Sequence, residues 1–234
     1  MNILAMDTSS LTATVAVLCD DRLLGEYTLS NKLTHSQTIL PMTESLLSNL
    51  NMAIDDIDVF SVCVGPGSFT GLRIGMATVK TFAHTLCKPI IGISSLDALA
   101  YNFFCNSDYI ISPMIDSRRN EVYNALYENG QKFVDDRALH IDKLLDELKD
   151  KKVIFAGDGA LVQKETILSH NNPNWIIAPQ HLLLPKASSV AYCALGRTQS
   201  NLFDDAFTLN PVYLRKSQAE RELEEKNNKS TEVI

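Results

Sequence analysis

Three consecutive polar residues, Asp7, Thr8 and Ser9, end the first apolar run of the chain and are the first residues that could do chemistry. Hydroxyl and backbone N–H groups in a tight turn suit a phosphate, and a carboxylate beside them suits Mg²⁺. Asp116 ends a second apolar run in the same way. Alternatively, the first turn only satisfies its own backbone through side-chain hydrogen bonds. The residues alone leave both interpretations open.

The segment from Gly65 to Gly75 reads GPGSFTGLRIG and is the most distinctive motif of the chain. It is not a Walker A motif, because no Lys-Ser or Lys-Thr follows to hold phosphates. It is not a dinucleotide fingerprint, because its third glycine is misplaced. Its glycine spacing also differs from the serine elbow of hydrolases. No HExxH motif and no recognisable cysteine–histidine pairing support a peptidase.

Gly67, Gly71 and Gly75 are four residues apart and would share one face of a predicted helix. Each interior glycine costs about 1 kcal/mol relative to alanine, so the close approach of another backbone is the expected compensation. Beside these glycines lies an apolar face formed by Leu72, Met76, Val79 and Phe82. A preceding predicted helix has its own apolar face, which includes Ile39, Leu40, Leu46, Leu47 and Leu50. These helices either pack on their own sheet or form half of an intermolecular four-helix bundle.

The rest of the chain predicts the elements that must position these residues. In the first half we predict strands at 3–7, 12–18, 23–30, 58–64 and 90–93, and helices at 35–50, 70–87 and after a cap at Ser94 or Ser95. In the second half we predict strands at 109–116, 121–127, 131–138, 153–156 and 175–178, and helices at 141–150, 160–169 and 188–199. Pro41 implies that helix 35–50 kinks or begins later.

The two halves match in register. Asp116 lies 109 residues after Asp7, and the turn residue Asn129 lies 109 residues after Asp20. Asn129-Gly130 is a strong hairpin signal, because both central residues of a type I′ turn need positive φ. We therefore predict a duplicated βββαβα fold with an inter-lobe cleft, although two unrelated meanders would also fit. The predicted domains are a lobe at 1–105, a second lobe at 106–215 whose end packs back on the first, and a charged tail at 216–234.

The composition of the chain argues against several classes of function and location. The net charge of −7 argues against broad contact with RNA phosphates, which needs a clustered basic face. The five cysteines are scattered without metal-ligand spacing, which predicts reduced thiols and a cytoplasmic location. The first acid, Asp7, comes too soon for a signal peptide. No apolar run reaches about 18 residues, so no membrane span is expected.

A duplicated βββαβα unit with Asp-Thr-Ser at its first hairpin resembles the actin, hexokinase and Hsp70 superfamily. The resemblance implies an α/β fold of two actin-like (ribonuclease H-like) halves. In that superfamily the first hairpin meets nucleotide phosphates, and acids at the positions of Asp7 and Asp116 manage Mg²⁺. A small-molecule kinase or ATPase is therefore the alternative function. The residues of such a cleft, here expected to be largely vestigial, would be Asp7, Thr8, Ser9, Gly65, Gly67, Asp116, Gly157 and Gly159.

A closer resemblance is to the TsaB (YeaZ) family. The chain carries that family's GPGSFTGLRIG segment without a mismatch, together with Asp7-Thr8-Ser9, His35-Ser36, Leu40-Pro41, SSLDALA at 94–100 and PVYLR at 211–215. The resemblance is strong over residues 1–100 and thin from 105 to 205. It implies a degenerate paralogue of TsaD, the subunit that transfers threonylcarbamoyl to adenosine N6 of tRNA. TsaD keeps a metal-binding histidine pair, which this chain lacks.

The resemblance also implies a scaffold or activating subunit in the synthesis of threonylcarbamoyladenosine in tRNA (t6A37). TsaD would bind directly, the ATPase TsaE would join through the TsaB–TsaD complex, and tRNA would be contacted only indirectly. A lone chain would form a homodimer. No catalytic residue, metal or intrinsic cofactor is implied, and ATP or ADP with Mg²⁺ would belong at the complex interface. The residues implied at the partner and dimer interface are His35, Ile39, Leu46, Phe69, Gly71, Leu72, Arg73, Gly75, Met76 and Val79.

Overall fold

A computed structural model describes residues 1–31 and 33–215, which form two five-stranded sheets with helices packed on them. The predicted charged tail at 216–234 lies outside the described residues. We call the part of the chain around each sheet a lobe.

The first sheet has the strand order β3-β2-β1-β4-β5. Its strands are β1 (Asn2–Asp7), β2 (Ala13–Cys19), β3 (Arg22–Leu29), β4 (Val59–Gly65) and β5 (Ile90–Ser94). The first three pair antiparallel, whereas β4 runs parallel to both β1 and β5. The helices of this part of the chain are α1 (His35–Asn49), α2 (Phe69–Thr85) and α3 (Ser95–Tyr101), with a 3-10 turn at Ile54–Asp56.

The second sheet has the order β10-β9-β6-β7-β8. Its strands are β6 (Ile110–Asp116), β7 (Glu121–Glu128), β8 (Gln131–His140), β9 (Val153–Ala156) and β10 (Trp175–Ile177). The remaining helices are α4 (Ile141–Leu148), α5 (Asp158–Val162), α6 (Lys164–Ser169), α7 (Gln180–Leu183) and α8 (Ala187–Gln199).

The two sheets share one topology, because each strand of the first half has a counterpart with the same neighbours and the same direction in the second half. The predicted turn correspondence also holds: Asp20 and Asn129 both have positive φ, at 53° and 51°, and Gly130 follows at 73°. The prediction of a duplicated βββαβα fold is therefore confirmed.

Three local features differ from the predictions or were not predicted. The helix predicted at 160–169 is two helices, α5 and α6, which meet at Gln163. Helix α1 begins at His35 and continues through Pro41 rather than starting after it. Thr34 precedes α1 as its N-cap, and the Gln37 side chain accepts a hydrogen bond from the Thr34 N–H over 3.4 Å. Helix α7 was not predicted, because four residues are too few to show a helical period.

The first sheet is covered on both faces, as the alternation of side chains along a strand allows. Leu4 and Met6 of β1 pack in the core that faces α1 and α2. Ile3 and Ala5 pack on the opposite face, in the core that includes apolar residues of α8. The second lobe has its own core. Although α8 follows the second sheet in sequence, it therefore packs on the first.

Candidate functional site

The turn between β1 and β2 is closed by other parts of its own lobe. The Thr8 hydroxyl donates to the Gly71 carbonyl oxygen over 2.8 Å, and the Ser9 N–H donates to Asp7 Oδ1 over 2.7 Å. The Ser68 N–H donates to the Ser9 carbonyl oxygen over 2.7 Å. Asp7, Thr8 and Ser9 are at most 2% exposed. The Thr8 hydroxyl and the Ser9 N–H, two of the groups that could meet a phosphate, are thus engaged within the chain.

Asp7 has little capacity to serve a bound cation. Its side chain is 1% exposed, and burial raises the pKa of its carboxyl group. A hard cation such as Mg²⁺ needs an ionised, accessible oxygen and usually keeps several waters. The first hairpin therefore does not fit Mg²⁺ and a nucleotide, and the alternative of a kinase or ATPase is not favoured.

The glycines of the distinctive segment allow this closure. A Cβ on Gly71 would lie closer than 3.0 Å to the Thr8 carbonyl oxygen, and a Cβ on Gly75 would lie as close to Thr8 Oγ1. A Cβ on Gly67 would clash in the same way with the Ser9 carbonyl oxygen. A close approach was expected, but the approaching group is the first hairpin of the same chain. The expected contact of Gly71 and Gly75 with a partner stays a prediction.

Five apolar residues expected at the partner interface are instead core residues of the first lobe. Ile39, Leu46, Leu72, Met76 and Val79 are each at most 4% exposed. A side chain buried against its own sheet has almost no surface left for a partner. These five side chains therefore pack on their own sheet, and a contact between them and a partner stays a prediction.

Three of the expected interface residues keep exposed surface. Arg73 is exposed on α2, and Phe69 is half-buried at the start of that helix. His35 is half-buried at the start of α1, where its Nε2 lies 2.7 Å from the Ser10 carbonyl oxygen. These three residues mark the ends of α1 and α2 that a partner could still contact.

An apolar groove lies along the side of α1 and reaches Phe82 of α2, with a volume of about 440 Å³. It is lined by Leu40, Thr43, Glu44, Leu47, Ser48, Met52, Ile54 and Phe82. Leu40 is 48% exposed, although it belongs to the apolar face predicted from the sequence. The helical period gave the face of α1 but could not separate the residues that pack inward from those that remain outside.

The glycines of the second lobe have a packing role. Gly157 has a φ of 89° at the end of β9, as Gly65 has a φ of 120° at the end of β4. A Cβ on Gly159 would lie 2.9 Å from the Met114 carbonyl carbon of β6. Helix α5 therefore needs these glycines to approach β6, and this contact explains them without an adenosine ligand.

The turn between β6 and β7 differs from its counterpart in the first lobe. Arg118, Arg119 and Asn120 have left-handed φ values of 66°, 57° and 58°, and all three are exposed. Asp116 Oδ1 accepts from the Arg118 N–H over 3.0 Å, and the Asp116 N–H donates to Asp158 Oδ1 over 3.2 Å. Burial raises the pKa of the Asp158 carboxyl group. Within residues 1–31 and 33–215, neither arginine side chain has an ion-pair or hydrogen-bond partner.

The described part of the chain has neither a metal-type cluster nor a membrane-spanning helix. No three histidine, cysteine, aspartate or glutamate side chains in it lie close enough together to hold a metal ion. No helix in it has both the length and the apolar character needed to cross a membrane.

The chain is similar to proteins of tRNA modification. The family model for TsaD, tRNA N6-adenosine threonylcarbamoyltransferase, matches residues 22–223. The tRNA threonylcarbamoyladenosine biosynthesis protein TsaB of Bacillus subtilis is 37% identical over 94% of this chain and 96% of its own length. The protein of the same name from Haemophilus influenzae is 26% identical over 92% of this chain and 94% of its own length.

Solved structures agree with these matches. YeaZ from Pseudomonas aeruginosa superposes with a TM-score of 0.78 at 28% identity, covering 91% of this chain and 99% of that one. The activator of 2-hydroxyisocaproyl-CoA dehydratase from Clostridium difficile has a TM-score of 0.56 at 11% identity, covering 86% of this chain and 97% of that one, which shows a shared fold alone. The matches over nearly the whole length show that this chain belongs to the TsaB (YeaZ) family, within the wider group described by the TsaD family model.

Proposed function

We propose that this chain is a non-catalytic subunit in the synthesis of threonylcarbamoyladenosine in tRNA, and that it binds and supports a catalytic TsaD subunit. The names of its relatives, tRNA threonylcarbamoyladenosine biosynthesis protein TsaB, support the pathway. The observation that carries the non-catalytic role is the closed first hairpin. The Thr8 hydroxyl and the Ser9 N–H are engaged within the chain, where an actin-like enzyme would need such groups for its nucleotide.

The surface proposed for TsaD is the outer side of α1 and α2. The groove there is lined by exposed Leu40 and half-buried Phe82, and Glu44 adds a charge. Two adjacent helices with an exposed apolar groove can pack against two helices of a partner as half of a four-helix bundle. The same surface would serve a second copy of this chain, so the homodimer and the TsaD complex would exclude each other.

The experiment that tests this function replaces Leu40 by Asp and measures association with TsaD and t6A formation in a reconstituted system. Leu40 is 48% exposed, so the variant is expected to fold. We expect a loss of affinity of about tenfold or more, because a charge in an apolar contact must be desolvated. The formation of t6A should fall in parallel.

The matched control is Leu168→Asp. Leu168 is a leucine of α6 that is 56% exposed and far from the α1 and α2 groove in sequence and fold. It should bind TsaD like the unaltered chain. Equal binding of TsaD by Leu40→Asp and Leu168→Asp would reject this surface, and no binding by the unaltered chain would reject the proposed function.

ATP or ADP with Mg²⁺ is proposed at the boundary between this chain and TsaD rather than in this chain alone. The guanidinium groups of Arg118 and Arg119, which are unpaired among the described residues, suit phosphate oxygens. Calorimetry with ATP and Mg²⁺ should therefore show binding to the complex and none to the lone chain. A double variant, Arg118→Ala with Arg119→Ala, should weaken that binding, whereas the exposed Lys143→Ala should not.

The ATPase TsaE and tRNA are proposed as indirect partners. The net charge of −7 makes this chain a poor surface for RNA by itself. Because TsaE is proposed to join only through the complex with TsaD, pull-down of TsaE by this chain should require TsaD. Tight binding of tRNA by the lone chain at physiological salt would contradict the indirect role.

A further inference from the structure

The segment from Asp204 to Arg215, which we call the strap, links the two lobes along α2. It begins at the edge strand β5, where the Asp204 N–H donates to the Ile90 carbonyl oxygen over 2.9 Å. The Asp204 carboxylate accepts from the Gly92 N–H over 2.8 Å and from the Arg197 guanidinium over 3.0 and 3.2 Å. One end of the strap is therefore fixed to the first sheet.

The middle of the strap lies against α2 and β4. The Lys80 ammonium group donates to the carbonyl oxygens of Phe207 and Leu209 over 3.3 and 2.9 Å. The Val212 N–H donates to the Val64 carbonyl oxygen over 2.7 Å. The strap thus runs along α2 toward its first turn.

The far end of the strap reaches the second lobe. The Arg215 guanidinium donates to the Ser117 carbonyl oxygen over 3.2 Å and to its hydroxyl over 3.3 Å, and it forms an ion pair with Glu121. Leu214 packs against the second core. Residue 213 is therefore held between two anchored points.

Tyr213 uses this position to orient Arg73. Its ring stacks on Phe69 with centroids 4.1 Å apart and planes 4° apart. The Arg73 guanidinium carbon lies 5.8 Å from the Tyr213 ring centroid, and Arg73 Nε donates to the Tyr213 hydroxyl over 3.0 Å. These contacts are neutral, so they orient the guanidinium without cancelling its charge. In the part of the chain that the structure describes, Arg73 has no ion pair.

A second depression lies beside this guanidinium, with a volume of about 360 Å³. It is lined by Phe69, Thr70, Arg73, Ile74 and Ala77, so most of its walls are apolar. A site with apolar walls and one oriented guanidinium that carries its full charge suits a protein side chain that has a carboxylate next to apolar neighbours. Because the Nε of Arg73 is engaged, its terminal nitrogens remain as donors for that carboxylate.

We propose that Arg73, oriented by Tyr213 of the strap, is the residue that recognises a carboxylate on a helix of the partner subunit. This inference rests on the proposed function and names the charge that selects the partner. Tyr213 is a positioning residue, since it acts through Arg73. Recognition is thereby tied to both lobes, because the strap is anchored on each of them.

Charge reversal tests the carboxylate. Arg73→Glu should weaken association with TsaD by about tenfold or more, since one partner of a charged contact is replaced by a like charge. The exposed acids of TsaD are then changed singly to Lys, and one of these changes should restore the affinity of Arg73→Glu. The control, Lys143→Glu, makes the same charge change on exposed α4 and should bind normally. Restoration by none of the TsaD variants, or unchanged binding by Arg73→Glu, overturns the proposal.

A double-mutant cycle tests the positioning role. Tyr213→Phe keeps the ring on Phe69 but removes the hydroxyl that accepts from Arg73, so affinity should fall about threefold to tenfold. In an Arg73→Ala background the same change should have no further effect on affinity. An equal loss in both backgrounds would mean that Tyr213 acts only on the structure, and would overturn its assigned role. Absence of binding by the unaltered chain would instead count against the proposed function.

Discussion

The two lobes place a hairpin turn at the same point of the same topology, but the two turns have opposite environments. In the turn after β1, Thr8 and Ser9 are buried and bond to the segment that opens α2, whereas Leu11 is exposed. The turn after β6 is exposed, has three left-handed residues and presents Arg118 and Arg119 to solvent. Duplication therefore preserved the sheet order while the chemistry of the two turns diverged.

The difference lies in the helix that follows the fourth strand of each lobe. In the first lobe, α2 has glycines at positions 71 and 75, which allow its backbone to close over Thr8. In the second lobe, Gly157 and Gly159 lie at the start of α5. They approach the backbone of Met114 and Ile115 in β6, before the turn begins. The spacing of the glycines thus decides whether the helix covers the turn or leaves it open.

The substitution Gly71→Ala is expected to have the largest effect, because it would disturb the closure of the first turn by α2. The new Cβ would lie closer than 3.0 Å to a carbonyl oxygen, and a backbone atom cannot move aside as a flexible side chain can. We expect a loss of about 3 kcal/mol in the free energy of unfolding, the upper part of the usual range for overpacking. Urea unfolding of the purified variant measures this loss. Unchanged stability would mean that the first turn is not closed as described.

The buried carboxylate of the first turn predicts a pH dependence that Asp7→Asn should remove. Because burial raises the folded pKa above the ordinary value of 3.8, the folded state holds its proton more tightly than the unfolded state. The associated stability is complete below that ordinary value and is lost as pH rises through the folded pKa. Each tenfold difference in proton affinity between the two states corresponds to about 1.4 kcal/mol.

The Asp7→Asn variant would keep a side-chain oxygen for the Ser9 N–H but could not ionise at this position. Urea unfolding between about pH 4 and pH 7, the range above the ordinary carboxyl pKa, should therefore show the unaltered chain losing stability relative to the variant as pH rises. Parallel curves for the two proteins would show that Asp7 does not titrate in this range.

Much of the fold could be predicted from the sequence because it depends on local patterns. Strand bounds such as 153–156 follow apolar runs, and the type I′ signal at Asn129-Gly130 has the expected positive φ at both residues. The repeat of 109 residues gave the duplication, since register along the chain is visible without any contact. The fold class could therefore be predicted without knowledge of the contacts between distant residues.

The candidate site was harder to predict from the sequence, because its contacts join residues that are far apart along the chain. The spacing of Gly71 and Gly75 predicted a close approach but could not tell which backbone would make it. Nothing local connects Tyr213 with Arg73, whose contact spans 140 residues. The left-handed backbone at 118–119 was also invisible, because arginine does not favour positive φ.

A glycine without a close neighbour should respond to alanine in the opposite direction, with a smaller effect. Gly196 is exposed in α8, and a Cβ there would meet no atom within 4 Å. Gly196→Ala should therefore raise the free energy of unfolding by about 0.5–1 kcal/mol, the usual gain in helix propensity. The measurement is the same urea titration used for Gly71→Ala. A loss of stability would show that the space around a glycine does not separate the two kinds of position.

The smallest expected effect contrasts the two turns directly. Arg119 has a φ of 57°, a conformation that costs an L-residue about 1–2 kcal/mol and costs glycine little. Part of the gain in Arg119→Gly is offset by the larger entropy of glycine in the unfolded chain, so we expect a net stabilisation of about 0.5 kcal/mol.

The equivalent residue of the first turn is Ser10, whose φ is not positive and whose hydroxyl accepts from the Thr12 N–H over 3.1 Å. Ser10→Gly should therefore lose stability, and thermal unfolding of the two variants side by side should give shifts of opposite sign. Shifts of the same sign would mean that the left-handed backbone at Arg119 carries no strain, and the contrast between the turns would then rest on burial and charge alone.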